Sequence, residues 1–132
     1  MMQRYFLMVT ALGEGGTGLV LLILPSVLLG LLLGIDQASP ETTLCARIAG
    51  AALLALGVAC WPSQKIHGYS VPLGLLAGVL IYDVAAAVLL SYAGLGLSMV
   101  GLVLWPAVVL HFALAIWCII CIVAKRSPTT AE

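Results

Sequence analysis

Apolar residues fall along this chain in four long blocks, covering about residues 4–24, 43–61, 71–92 and 98–123, parted by short stretches that gather Pro, Gly, Ser and charge. Each block approaches the roughly 20 residues that a helix rising about 1.5 Å per residue needs to cross a bilayer core of about 30 Å. The breaks have loop chemistry. "GIDQASPETT" (34–43) and "PSQKIHGYS" (62–70) hold the turn and breaker residues of water-exposed connections, with Pro62 stopping the second block, and "AGLGLS" (93–98) is just long enough to reverse direction. The pattern predicts one all-α domain over 1–132, an up-and-down bundle of four transmembrane helices. "PSVLLGLLLG" (25–34) is left over: joined to the first helix it would make a rod of roughly 46 Å, too long for a bilayer without strong tilt. Pro25 is therefore expected to kink the chain into a bent extension or a short interfacial piece.

Composition removes the soluble alternatives. Of 132 residues, 64% are hydrophobic and 8% charged, against about one quarter charged in an ordinary globular domain. Net charge is zero and the one basic pair is Lys125-Arg126, so a nucleic-acid surface or a polybasic lipid-binding segment has nothing to rest on. "MMQRYFLMVTALGEGGTG" has the basic start of a signal peptide but neither its unbroken apolar centre nor its cleavage site, and is expected to stay as a helix. Arg4, Lys65, Lys125 and Arg126 collect on one side of a four-span arrangement, which predicts that both termini are cytoplasmic.

Four ionisable residues fall inside the blocks, one to each: Glu14, Arg47, Asp83 and His111. An acidic or basic residue at the centre of a membrane helix costs roughly 2.5 to 3.5 kcal/mol on insertion scales. Turned separately to lipid the four would cost on the order of 10 kcal/mol, comparable to the stability of a whole domain. They are therefore expected to face inward as a polar network. Glu14 shares a helical stripe with Thr10, Thr17 and Gly18, and His111 one with Ala107, Ala115 and Cys118. Asp83 lies near Ala86 and Ala87 and opposite Gly74 and Gly78. Such small-residue stripes suit close helix contact, and Gly15, Gly18, Gly50, Gly57, Gly74 and Gly78 are the expected packing glycines. The functional reading of the network is a proton- or cation-handling site; the plain one is that it fixes how the helices pack.

Other constellations say less. Cys60, His67, Cys118 and Cys121 lie near one boundary and have the donor atoms for zinc or iron, but "WCIICIV" is a continuous apolar helix in which Cys behaves as a small hydrophobe, so no metal is expected there. Cys45 sits alone near the opposite surface. Trp61, Trp105, Trp117, Tyr5, Tyr69 and Tyr92 fall mostly towards block ends, as interfacial anchors do. Tyr82 and Trp105 are deeper, and packing or pocket lining suits them equally. "AVVLHFALAIW" (107–117), with Ala four before His111 and Trp six after, is similar to the bacteriochlorophyll-binding helices of light-harvesting polypeptides; that resemblance implies a pigment at His111, while haem is disfavoured because His67, in a loop, cannot oppose His111, and no cofactor is expected.

Glu14 in a first helix resembles the embedded glutamate of the small multidrug resistance transporters, which exchange protons for cationic drugs, although "LGEGGTG", Arg47, Asp83 and His111 are not that family's pattern. "LILPSVLLGLLLG", the "ARIAGAALLALGVACW" second helix with Arg47, Gly50 and Gly57, and the helix count resemble the DoxX-like small bacterial four-helix membrane proteins, some of which occur beside redox enzymes. The resemblance implies a non-enzymatic accessory or packing subunit of a larger complex in a bacterial cytoplasmic membrane, with lipid, other subunits or further copies as partners. No nucleophile–base pair or phosphate loop argues for an enzyme. The alternatives are a proton-coupled carrier or channel using Glu14, Asp83 and His111, or a pigment- or quinone-associated subunit using His111.

Overall fold

A computed structural model describes residues 2–61 and 71–126 as five helices: α1 (Met2–Ile23), α2 (Pro25–Leu33), α3 (Pro40–Cys60), α4 (Leu73–Leu95) and α5 (Leu104–Arg126). α1, α3, α4 and α5 are long and apolar enough to span a membrane. Pro62, Lys65, His67 and Tyr69, which carry an expected helix stop, part of the charge asymmetry, a metal candidate and a belt residue, lie outside the described residues. The all-α, four-span membrane bundle read from the blocks is the observed architecture.

Local chemistry sets the helix ends. The chain breaks at Leu24 (φ −128°, ψ 55°), and Pro25, which has no N–H to donate, opens α2 at a position where none is needed. The leftover segment is thus a separate helix of nine residues rather than a continuation of α1. Gly34 ends it in the left-handed conformation (φ 71°), donating its N–H to the Gly30 carbonyl at 2.9 Å. Ser39 caps α3 by accepting from the Thr42 N–H at 3.2 Å, with Pro40 and Glu41 in the first turn.

The fourth span corrects the sequence reading. It begins at Leu104, not near Ser98, because Pro106 fits a helix only within its first turn, and hydropathy alone cannot separate a helix from the irregular apolar residues before it. Ser98 takes a positive φ of 54°, and the irregular residues that follow, ending in a turn at Leu102 and Val103, dock on α2. The Val103 N–H donates to the Leu31 carbonyl at 3.0 Å, and Gly101 presses directly on the Leu32 carbonyl. Irregular backbone at this depth needs such partners, since lipid offers none.

The spanning helices pack as two antiparallel pairs, α1 on α3 and α4 on α5, with α1 also touching α5 and α3 scarcely meeting α4. The α1–α3 seam is a backbone contact made through glycine. A Cβ on Gly18 would lie 2.6 Å from the Gly50 carbonyl oxygen, one on Gly50 2.8 Å from the Gly18 oxygen, and one on Gly57 2.8 Å from the Gly15 Cα. Close approach of this kind maximises dispersion contact, the main attraction available between helices in lipid.

The bundle is packed unevenly along its length. Towards the end that holds Gln3, Val71 and Lys125, a core of Phe6, Leu76, Val79, Leu114, Cys118 and Cys121 is closed, with Phe6 and Trp117 edge-to-face at 5.6 Å. Gln3 Nε2 donates to the Cys121 carbonyl at 3.0 Å, and Lys125 Nζ donates to the Val71 carbonyl, tying α1, α4 and α5 together there. The other half holds a cavity. Around the outside, Leu12, Ile48, Val58, Ile81, Val109 and Ile116 stand exposed on every spanning helix, a surface that only lipid or another apolar chain can cover.

Candidate functional site

Three helices each deliver one ionisable side chain to the middle of the bundle: Glu14 from α1, Asp83 from α4 and His111 from α5. One donor atom of each lies within 4.8 Å of the others. Glu14 is 4% exposed and Asp83 has no exposed surface, while His111 is half-buried. The placement follows from the stripes. Thr10, Glu14 and Gly18 form the buried face of α1, Asp83 and Ala87 that of α4 at this level, and Ala115 and Cys118 continue the His111 face of α5. Gly18, one turn from Glu14 on the same buried face, lets α1 approach the α3 backbone closely at this level.

The imidazole is oriented. His111 Nδ1 lies 3.1 Å from the carbonyl of Ala107, one turn earlier, which accepts its proton and leaves Nε2 as the nitrogen with a free lone pair. Nε2 is 3.5 Å from the Tyr82 hydroxyl, and the two rings are tilted against one another at 5.6 Å. Tyr82 also faces Glu14. Asp83 is the unusual member: both of its carboxyl oxygens are buried with no hydrogen-bond partner among the described residues, and the Thr10 hydroxyl, one turn from Glu14, has none among them either. Leaving such groups unpaired costs about 1 to 3 kcal/mol for a neutral group and more for an ion. A bound proton, water or ion is the natural way to recover it.

Above this cluster is a cavity of about 670 Å³ whose walls are apolar and whose floor is Glu14, Tyr82 and His111. Ala49 and Ala52 of α3 and Leu89 of α4 line it and are themselves exposed, so it opens sideways where α3 and α4 stand apart. α2 roofs it through Leu28 and Leu32. Access is therefore sideways, between α3 and α4, with α2 covering one end and the Phe6–Trp117 core closing the other.

Arg47 is a correction to the expected network. It is exposed on α3, displaced from the buried face Ala46, Gly50, Leu53 and Gly57 that meets α1. Its position near the α2 end of the span lets the long side chain carry its charge out to the interface, which is cheaper than desolvating it. Gly74 and Gly78 are exposed as well, with nothing among the described residues within 4 Å of an added Cβ. Gly15 has an ordinary 4.0 Å neighbour in Gly57. Cys60, Cys118 and Cys121 are buried as free thiols in the apolar core, and Cys118 Sγ donates to the Leu76 carbonyl at 3.2 Å. Cys45 is exposed. Tyr82 is the residue that the sequence left undecided; its signal was a phenol beside Asp83, too deep for an interfacial belt.

No protein-family model matches the chain, and neither curated proteins nor solved structures supply a match.

Proposed function

We propose that this small integral membrane protein is a proton-coupled carrier that binds a cationic solute in the side-opening cavity, with Glu14, Asp83 and His111 as the coupling groups. The observation that carries this reading is the buried Asp83 carboxyl, with no partner for either oxygen among the described residues and one oxygen within 4.8 Å of a donor atom on Glu14 and one on His111. Two ionised carboxylates at that 4.8 Å separation repel by about 3 kcal/mol even at an effective dielectric of about 20. The pair must therefore hold either protons or a positive charge. Whichever enters displaces the other, and that competition is the elementary step of exchange. Tyr82 and the Ala107 carbonyl position the imidazole for proton transfer, and the closed core on the far side stops leakage between cycles. A carrier suits this arrangement better than a channel, because the closed half must rearrange before anything passes.

The test is reconstitution of the purified chain in vesicles containing a pH-sensitive dye. Addition of a transported cation should drive proton efflux, and Glu14→Gln and Asp83→Asn should each abolish it; equal efflux in both variants would remove this mechanism.

A second reading has its own observation. The open Gly74/Gly78 face of α4 lies opposite Asp83 and is free to receive another helix, as an accessory subunit of the kind implied by the DoxX-like resemblance would require. Purification in mild detergent should then recover a larger membrane protein at fixed stoichiometry, lost in Gly78→Leu.

A further inference from the structure

We propose that Glu14, Asp83 and His111 form a binding site for a divalent first-row transition-metal ion, with one oxygen from each carboxylate and Nε2 of the imidazole as ligands. The inference rests on the same cluster as the carrier reading and names its cation. Four observations converge on it.

The first is charge. Two carboxylates and a neutral imidazole supply two negative charges, which a dication cancels and a monovalent ion does not; in a membrane interior the uncancelled remainder is costly. The second is Asp83, which has no exposed surface and, among the described residues, no partner for either oxygen, although it faces two other donor residues. A side chain held that way lacks a ligand of its own, and a cation in the space among the three supplies one. The third is the histidine. Metal-bound imidazoles characteristically donate their second N–H to a carbonyl or carboxylate, which fixes the ring and frees the other nitrogen's lone pair. His111 has this arrangement, with Nδ1 held by Ala107 and Nε2 left with its lone pair. The fourth is reach. Ligands about 2.1 Å from a metal stand roughly 3.0 to 3.5 Å apart. The donor atoms lie within 4.8 Å of one another, so rotation about side-chain torsions closes the shell without moving a helix.

The donor set narrows the metal. Mixed carboxylate and imidazole ligation suits Mn²⁺, Fe²⁺, Co²⁺ and Zn²⁺; Mg²⁺ and Ca²⁺ favour oxygen alone, and Cu⁺ favours thiolates, which here are buried in the separate core. Three protein ligands leave at least one coordination position for water or solute on the cavity side. The Tyr82 hydroxyl, 3.5 Å from Nε2, is placed to hydrogen-bond a ligand in that position.

The experiment uses the full chain in lipid nanodiscs, stripped with chelator and titrated with Mn²⁺ while free Mn²⁺ is followed by electron paramagnetic resonance. One Mn²⁺ should bind per chain, and Asp83→Asn, Glu14→Gln and His111→Gln should each weaken binding at least tenfold. Pulsed resonance on the wild-type complex should show coupling to one imidazole nitrogen, a readout that needs no variant to fold. Co²⁺ in the same preparation should give d–d bands without a thiolate charge-transfer band. Failure of the wild type to bind either ion, absence of the nitrogen coupling, a thiolate band, or undiminished binding in well-folded variants overturns the proposal. Metal binding without proton efflux in vesicles would leave the site standing and remove the carrier; efflux without metal binding would do the reverse.

Discussion

The glycine seam makes the sharpest energetic prediction, because two glycines one turn apart on α1 should respond oppositely to the same methyl group. In Gly18→Ala the new Cβ would sit 2.6 Å from both the Gly50 oxygen and the Leu54 nitrogen and 3.1 Å from the Leu53 carbonyl carbon, all of them backbone atoms that cannot rotate away. Relief requires α1 and α3 to part by roughly 0.8 Å locally, and a gap of 0.5 to 1 Å already forfeits about a quarter to a half of each dispersion contact along the seam. Overpacking of this kind costs about 1 to 3 kcal/mol. In Gly15→Ala the methyl would meet only the Gly57 Cα at 4.0 Å, an ordinary contact, and replacing helical glycine by alanine gains about 0.5 to 1 kcal/mol. Reversible unfolding in mixed micelles of mild detergent and SDS, followed by tryptophan fluorescence, measures both. The propensity gain is common to both, so the variants should differ by the overpacking cost, about 1 to 3 kcal/mol, Gly15→Ala being the more stable. Since Gly18 is one turn from Glu14, Gly18→Ala should also withdraw the carboxyl from Asp83 and His111 and weaken Mn²⁺ binding. Equal stability of the two variants, or the reverse order, would refute the close backbone contact and with it the placement of Glu14.

Asp83→Ala removes two orphaned oxygens from the interior, so it should raise stability in the same assay by about 1 to 3 kcal/mol in the absence of metal while abolishing Mn²⁺ binding; a loss of stability would mean that Asp83 holds the bundle together. Gly101→Ala drives a methyl into the Leu32 carbonyl and should break the Val103–Leu31 hydrogen bond, costing about 2 kcal/mol or more and raising amide exchange at Val103, measurable by mass spectrometry. Gly78→Leu, on the open face of α4, should leave unfolding unchanged within about 0.5 kcal/mol, and a larger loss would show that the face is already packed.

What the sequence made legible was whatever period and cost could express. Four apolar blocks became four spanning helices because length and hydropathy decide that question, and an acid facing lipid is so expensive that the sequence already turns Glu14, Asp83 and His111 inward. Arg47 was the exception for a physical reason: a carboxylate near the middle of a span has a short stem, whereas an arginine near an end reaches the interface on its own methylenes. The start of α5 was hidden because irregular and helical stretches of Gly, Leu and Val look the same to hydropathy, and only Pro106 hinted at it. Pairing was hidden as well. Which small-residue face meets which helix depends on the whole arrangement, so Gly18 and Gly50 in a backbone seam and Gly74 and Gly78 at the surface read alike in the sequence.

The uneven packing connects these residues to a task. A bundle built for cohesion alone would continue its closed core across the midplane and place leucine where Asp83 stands, since lipid-facing helices gain nothing from an unpaired buried carboxyl. Here the cohesion is concentrated at two places, the glycine seam of α1 and α3 and the core around Phe6, Leu76 and Cys118, and both border the cluster directly. The cavity side is held more loosely, by α2 and the irregular residues before α5, with α3 and α4 standing apart. Such a division keeps the three ligand residues in register while leaving one wall free to open, which is the mechanical requirement for admitting a solute to an intramembrane site. The hinge at Leu24 and the docked segment before Leu104 are then the parts expected to move, and cross-linking α2 to Val100 through introduced cysteines should slow binding without weakening it at equilibrium.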